Sequence, residues 1–284
     1  MYSKPNIGFN ECEYKDADLV VVGLPFDSTT SFRPGTRFAS SAIRNEFIGI
    51  ESYSPLLDED LEEKQIYDMG DIELPFGQIE KSLDSIHDCA SKIYSDHKIP
   101  FAIGGEHLVS YPLIKAAFEN YPDLVVIHLD AHTDLRDHYL GNTLSHASVM
   151  KRCHEFLGDG RIYQFGIRSG TREEFQFASK GHVQTQKFNL DGLTETLHLL
   201  NETPVYVTVD LDVLDPSIFP GTGTPEAGGI TYKELEQLFV AMKGKNIVGA
   251  DIVELSPHYD HSGVSTAVAC KVLREMILAI LKNQ

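Results

Sequence analysis

Cysteine is scarce in this 284-residue chain: four thiols, Cys12, Cys89, Cys153 and Cys270, each standing alone. No C-x-x-C pair occurs, which excludes a zinc ribbon and a thioredoxin-like redox motif. Isolated thiols in a chain of this length fit a reducing compartment, so a cytoplasmic protein is expected. Positive charge is also short, with 24 Lys and Arg against 42 Asp and Glu and a formal net charge of −18. That balance argues against nucleic acid or an anionic membrane as the main partner, because both call for a basic face. It suits a small cationic substrate and bound metal cations. No apolar run approaches the roughly 18 residues that span a bilayer. The opening Met1-Tyr2-Ser3-Lys4-Pro5 lacks the apolar core of a signal peptide. Repeats, low-complexity tracts and linkers are missing too.

What remains is an alternation of short apolar runs and amphipathic stretches. Strands are expected at Leu19–Leu24, Gln65–Met69, Pro100–Ile103, Leu124–Leu129, Arg161–Phe165, His182–Thr185, Val205–Asp210 and Ile247–Glu254. Helices are expected at Thr36–Phe47, Gln78–Ser95, Leu108–Glu119, Ala147–Glu155, Arg172–Ser179, Leu193–Leu200, Tyr232–Met242 and Val264–Lys282. Ile79, Leu83, Ile86, Ala90 and Ile93 recur at three- and four-residue steps, the signature of an amphipathic helix. Strands apolar on both faces and alternating with helices predict a mostly parallel sheet covered on both sides. The expectation is a single α/β domain over residues 1–284.

Three distant segments bring carboxylate and imidazole together: Gly104-Gly105-Glu106-His107, Asp130-Ala131-His132-Thr133-Asp134 and Asp210-Leu211-Asp212. Each follows an apolar run. If the strands continue through them, Asp130, His132 and Asp134 share one face, as do Asp210 and Asp212. The carboxyl rim of an open α/β sheet is where ligands bind, and His107, Asp130, Asp210 and Glu254 all fall at that rim. Close carboxylates repel by about 4 kcal/mol per pair at ~4 Å and an effective dielectric near 20. Either some keep protons or cations sit among them. Two imidazoles and four carboxylates without sulfur suit Mn²⁺, then Fe²⁺, Co²⁺, Zn²⁺ or Mg²⁺. Six donors serve two ions with shared carboxylates better than one ion. Gly104-Gly105 is no P-loop, since no G-K-[S/T] follows.

These segments resemble the signatures of the ureohydrolase family, which includes arginases, agmatinases and formimidoylglutamases. The matching stretches are Gly104–His107, His128–Asp134, VDLDVLDP at 209–216, Gly35–Phe38, Ser145–Ala147, FGIRS at 165–169, GTGTPE at 221–226 and VELSP at 253–257. The resemblance runs from about Val20 to Met276. It implies a three-layer αβα sandwich with an eight-stranded, mostly parallel sheet. It also implies two Mn²⁺ per subunit, with a hydroxide between them that attacks a guanidinium carbon. Carried over by position, His107 and Asp134 would bind the first ion, His132 and Asp212 the second, and Asp130 and Asp210 both. Glu254 would clamp the guanidinium, His146 would shuttle a proton to the leaving amine, and Asp134 would relay one from the hydroxide. Trimers or hexamers are the family's usual assemblies. His128 reads equally as a support for Asp130 or as a packed histidine.

The segment Leu135–Thr143 (LRDHYLGNT) is unlike the small polar residues that follow this motif in arginases, and it resembles the agmatinase branch. That implies agmatine as substrate, with putrescine and urea as products. A far-end amine would meet an acidic or aromatic rim, for which Asp137 and Tyr139 are candidates. Arg136 would hold a carboxylate if it points inward, as a guanidinobutyrase needs, and is a solvated charge if it points outward. Tyr139 and Phe32 lie in loops expected to face the site. The alternatives are another guanidino-compound hydrolase of the family (guanidinobutyrase, arginase or formimidoylglutamase) or a catalytically silent metal-binding relative.

Overall fold

The structure is a computed structural model that describes residue 7 and residues 12–281. In chain order its strands are β1 (Leu19–Gly23), β2 (Tyr53–Ser54), β3 (Glu59–Asp60), β4 (Ile66–Asp71), β5 (Ile99–Ile103), β6 (Val125–Leu129), β7 (Ile162–Ile167), β8 (Gln184–Lys187), β9 (Val205–Asp210) and β10 (Ile247–Val253). The helices are α1 (Ala39–Glu46), α2 (Ile79–Ser95), α3 (Ser110–Asn120), α4 (Val149–Leu157), α5 (Arg172–Phe177), α6 (Leu193–Leu200), α7 (Tyr232–Met242) and α8 (Val264–Ile280). Eight strands form one sheet in the order β4-β1-β5-β10-β9-β6-β7-β8, and every pairing in it is parallel. All eight expected strands and all eight expected helices are present. The expected end of the last helix, Lys282, lies outside the described residues. The β2–β3 hairpin was not expected, since two-residue strands carry no readable alternation.

Alternation along the central strands sorts side chains into two cores. Val205, Val207 and Val209 of β9 join Ile127 and Leu129 of β6 against helices α7 and α8. Tyr206 and Val126 turn the other way, toward α2, α3 and α4. This is the three-layer αβα arrangement. Parallel strands buried on both faces should be apolar throughout, yet one row breaks that rule. Asp251 of β10, Thr208 of β9, His128 of β6, Gln164 of β7 and Thr185 of β8 stand opposite one another in register. Four of these five are fully buried, and Thr185 is half-buried. A polar line across a dry sheet requires partners of its own, and it runs beside the carboxyl rim.

Candidate metal centre

Four adjacent central strands, β5, β10, β9 and β6, deliver the acidic and imidazole groups at their carboxyl ends. The delivery differs from strand alternation. β6 stops at Leu129 and β9 at Asp210, so Asp130–Asp134 and Leu211–Asp212 lie beyond the strands. The shared-face geometry expected from continued strands is therefore corrected. The same local device replaces it twice. The His132 N–H donates to Asp130 Oδ1 at 2.6 Å, and the Asp212 N–H donates to Asp210 Oδ1 at 2.9 Å. Each aspartate closes a turn onto the backbone two residues ahead, a habit of Asp that competes with regular structure. Asp134 then takes φ +52° and Glu254 φ +65°. Positive φ is uncommon for residues other than glycine, and here it turns two buried acidic side chains at the rim.

His107 is the centre of the arrangement. Its Nδ1 lies 3.1 Å from Asp130 Oδ2, 3.1 Å from Asp134 Oδ2 and 3.3 Å from Asp210 Oδ2. Its other nitrogen, Nε2, is 3.0 Å from the Thr208 hydroxyl. That hydroxyl spends its hydrogen on Asp251 Oδ1 at 2.6 Å, so it accepts from His107. Nε2 therefore donates to Thr208, and Nδ1 faces three carboxylates without a hydrogen bond of good geometry. A buried imidazole nitrogen ringed by anions fits a cation, whether a proton or a metal ion. Around His132, Nδ1 is 3.1 Å from Asp212 Oδ2 and 3.4 Å from Asp130 Oδ1. Two groups of donors thus meet at Asp130, as two ions sharing a bridging carboxylate require. The set of imidazole nitrogens and carboxylate oxygens suits borderline and hard divalent ions.

His128 is also near the centre, with Nε2 2.8 Å from Asp130 Oδ2. Its tautomer is fixed from behind. The Gln164 amide donates to the Thr133 carbonyl at 2.6 Å and lies 3.0 Å from His128 Nδ1, while Thr185 donates to its oxygen at 3.0 Å. His128 Nδ1 therefore accepts, Nε2 carries the hydrogen and donates to Asp130, and His128 supports a ligand instead of being one. This is the orienting contact that metal-binding carboxylates commonly receive.

Burial and close charges set the protonation of the cluster. Burial raises the Asp134 carboxyl to about 7, with Asp130 adding repulsion, and burial beside Asp212 lifts Asp210 well above the carboxylate range. Burial would also raise Asp130, but the imidazoles of His107, His128 and His132 around it override that and hold its carboxyl well below the usual range. Burial would lower His107, and its three carboxylates push it well above 6.5 instead. Raised proton affinity at Asp134, Asp210 and His107 means that a metal ion binding there competes with protons.

The remaining candidates surround this cluster. Glu254 Oε1 accepts the His107 N–H at 2.8 Å and lies 3.9 Å from His146 Nδ1. Burial near Glu106 lifts Glu254 well above its ordinary range. Burial, followed by the neighbouring imidazoles, lowers His146 to about 4. Its loop is pinned by Thr29, whose hydroxyl accepts the His146 N–H at 3.0 Å and itself donates to Glu106. His146 Nε2 sits 3.1 Å from the Ser31 hydroxyl. Glu106 holds the start of this chain of contacts, and Gly105 permits it, since a Cβ there would run into the Phe26 backbone. Thr29, Ser31 and Thr208 were not foreseen: a threonine or serine carries no motif, and only its three-dimensional neighbours give it a role.

The cluster opens into a pocket of about 210 Å³ that reaches His132, Asp134, His146, Tyr139, Arg136 and Glu174. Asp137 lies outside it. Its side chain is 75% exposed and 3.7 Å from both Lys151 and Arg152. The expected substrate contact by Asp137 is therefore dropped. Arg136 lines the rim, with its guanidinium 4.4 Å above the Tyr139 ring and 3.6 Å from Glu174. Phe32 points into solvent, while its neighbour Ser31 lines the pocket.

A family model for the arginase family matches residues 17–279. This chain belongs to the arginase family. It is 49% identical over 272 residues to the agmatinase of Bacillus anthracis, covering 95% of this chain and 94% of that one. It is 49% identical over 273 residues to the agmatinase of Bacillus subtilis, with 95% and 94% covered. Among solved structures, the agmatine ureohydrolase of Thermoplasma volcanium superposes with a TM-score of 0.89 at 33% identity, covering 99% of this chain and 95% of that one. As a member of this family the chain is a hydrolase of guanidino C–N bonds, built around a His/Asp metal site. No helix among the described residues is long and apolar enough to cross a membrane.

Proposed function

We propose that the protein is a manganese-dependent agmatinase that releases putrescine and urea. The observation that carries the chemistry is the unpartnered His107 Nδ1 facing three carboxylates, with Glu254 beside it. The choice of agmatine rests on the relatives named agmatinase at 49% identity. In this reading His107, Asp130, Asp134 and Asp210 would hold one ion, and Asp130, His132, Asp210 and Asp212 the other. Divalent ions held there would lower the pKa of a bound water toward neutrality. Glu254 gives one oxygen to the His107 backbone and keeps the other for the guanidinium, a planar cation that carboxylates bind through charge-assisted hydrogen bonds. Asp134 accepts a hydrogen bond from the attacking water and relays its proton. His146, neutral at its lowered pKa, takes up a proton at one nitrogen and returns one to the departing amine. The C–N bond to the alkyl chain breaks, and urea and the protonated amine leave. The setting is cytoplasmic, and the working form is a homo-oligomer, a trimer or hexamer.

A second reading has one observation in its favour. Arg136 lines the pocket rim, where it would pair with the carboxylate of a guanidino acid. Against this, the Arg136 charge already faces Glu174 and the Tyr139 ring. Urea release from agmatine, arginine and 4-guanidinobutyrate at equal concentration tests the proposal. Agmatine should give the highest kcat/KM. A preference for 4-guanidinobutyrate would transfer the assignment to the second reading, and no urea from any of the three would refute both.

A further inference from the structure

A second group of metal-type side chains lies apart from the catalytic rim. His154 is in the last turn of α4, Asp159 in the turn that follows, and His182 just before β8. His154 Nε2 lies 2.8 Å and His182 Nδ1 2.7 Å from the same oxygen, Asp159 Oδ1. All three donor atoms fall within 4.8 Å of one another.

The rings are held in place. Phe177 stacks on His182 with centroids 4.4 Å apart and meets His154 edge-on at 5.0 Å. The Asp159 turn is fixed by Gly158 and Gly160, at φ +83° and +73°, and the Gly160 N–H donates to the His182 carbonyl at 3.3 Å. Donors from three segments are thus set before any ion arrives, which removes part of the ordering cost of binding.

We propose that His154, Asp159 and His182 form a peripheral binding site for a zinc-type divalent ion, separate from the catalytic pair. Two imidazole nitrogens and one carboxylate oxygen are a common three-ligand set for Zn²⁺, with water in the fourth position. Side-chain exposures of 15%, 64% and 32% leave room for that water. Donors about 2.1 Å from a tetrahedral ion stand roughly 3.4 Å apart. The two nitrogens therefore need to draw back from the carboxylate by only about 0.6 Å. Lys151, 3.5 Å from the centre of the Phe177 ring, places an opposing charge nearby that these three ligands must outweigh. The bound ion would fasten the C-terminal end of α4 to the edge of the sheet. The opposite end of this helix follows the turn that carries His146. The site does not depend on the identity of the guanidino substrate.

The test is a Zn²⁺ titration of manganese-loaded protein, with metal content read by mass spectrometry after equilibrium dialysis. The natural chain should bind one more equivalent of zinc than either the His154→Gln/His182→Gln double variant or Asp159→Asn. Manganese content should be the same in all three proteins. Zinc should raise the melting temperature of the natural chain alone. X-ray absorption of the bound zinc should show nitrogen ligands at about 2.0 Å and oxygen at about 2.0–2.2 Å. Equal zinc stoichiometry in the natural chain and both variants, or zinc that only displaces manganese, would overturn the site.

Discussion

Thr208→Val probes how the protein prepares His107 for a metal ion. The two side chains are nearly isosteric, so the packing of β9 survives while the hydroxyl disappears. That hydroxyl accepts from His107 Nε2 at 3.0 Å and donates to Asp251 Oδ1 at 2.6 Å. Its loss frees the imidazole to rotate or to move its proton onto the nitrogen that faces the carboxylates. Loss of such a supporting contact typically costs about 10- to 100-fold in metal affinity, or roughly 1.4–2.7 kcal/mol. Asp251 keeps the Tyr206 hydroxyl at 2.8 Å and the Ser110 hydroxyl, so it loses one donor of three. Removing that buried hydrogen bond costs about 1–3 kcal/mol of folding stability. Dialysis against buffers of fixed free Mn²⁺, followed by metal analysis, measures the affinity. Thermal unfolding of the metal-free form measures the second cost separately. The expected result is a weaker site with an unchanged maximal stoichiometry. Manganese affinity within twofold of the natural chain would refute the role assigned to Thr208.

Glu254→Gln retains the acceptor for the His107 N–H but loses the charge, so metal content should hold while KM for the guanidino substrate rises about 10- to 100-fold. Unaltered kinetics would remove Glu254 from the substrate site. In the metal-free protein, Asp134 (raised to about 7), Asp210, His107 and His132 all hold protons that the unfolded chain releases at lower pH. Folded-state pKa values above the unfolded ones mean stability lost as pH rises. For Asp134 the window runs from 3.8 to about 7, and stability recovers when metal replaces the protons. Metal binding should release protons in calorimetry across buffers of different ionisation enthalpy, and binding with no net release would contradict the proton-for-metal exchange. His146 has its pKa lowered to about 4, so its ring signals in nuclear magnetic resonance should not titrate between about pH 5.5 and 8. A midpoint near 6.5 would show that His146 is far more solvated than its position implies.

The sheet and its helices were legible because burial on both faces writes long apolar runs into the strands and three- and four-residue steps into the helices. Boundaries moved where short-range hydrogen bonding intervened. A 3₁₀ turn at His107–Val109 precedes α3, and another at His146–Ser148 precedes α4. The metal-type residues were legible as a set, yet the reason for their convergence was not. Alternation along a strand suggested one face, whereas two aspartate turns fold the chain out of the strands at Asp130 and Asp210. Asp137 shows the limit of motif reading at a rim. Sequence places it five residues beyond His132, but its exposed side chain lies on the side of Lys151 and Arg152. The buried row Asp251–Thr208–His128–Gln164 was invisible for a further reason: its members come from four strands, and only the sheet's register sets them side by side.

Anomalous diffraction from manganese-soaked crystals, recorded on both sides of the manganese edge, tests the central claim most directly. The account predicts two peaks about 3.5–4 Å apart. One should lie against His107 Nδ1 and the other against His132 Nδ1, with Asp130 touching both. A single peak, or full occupancy somewhere that leaves His107 Nδ1 without a metal neighbour, would contradict it.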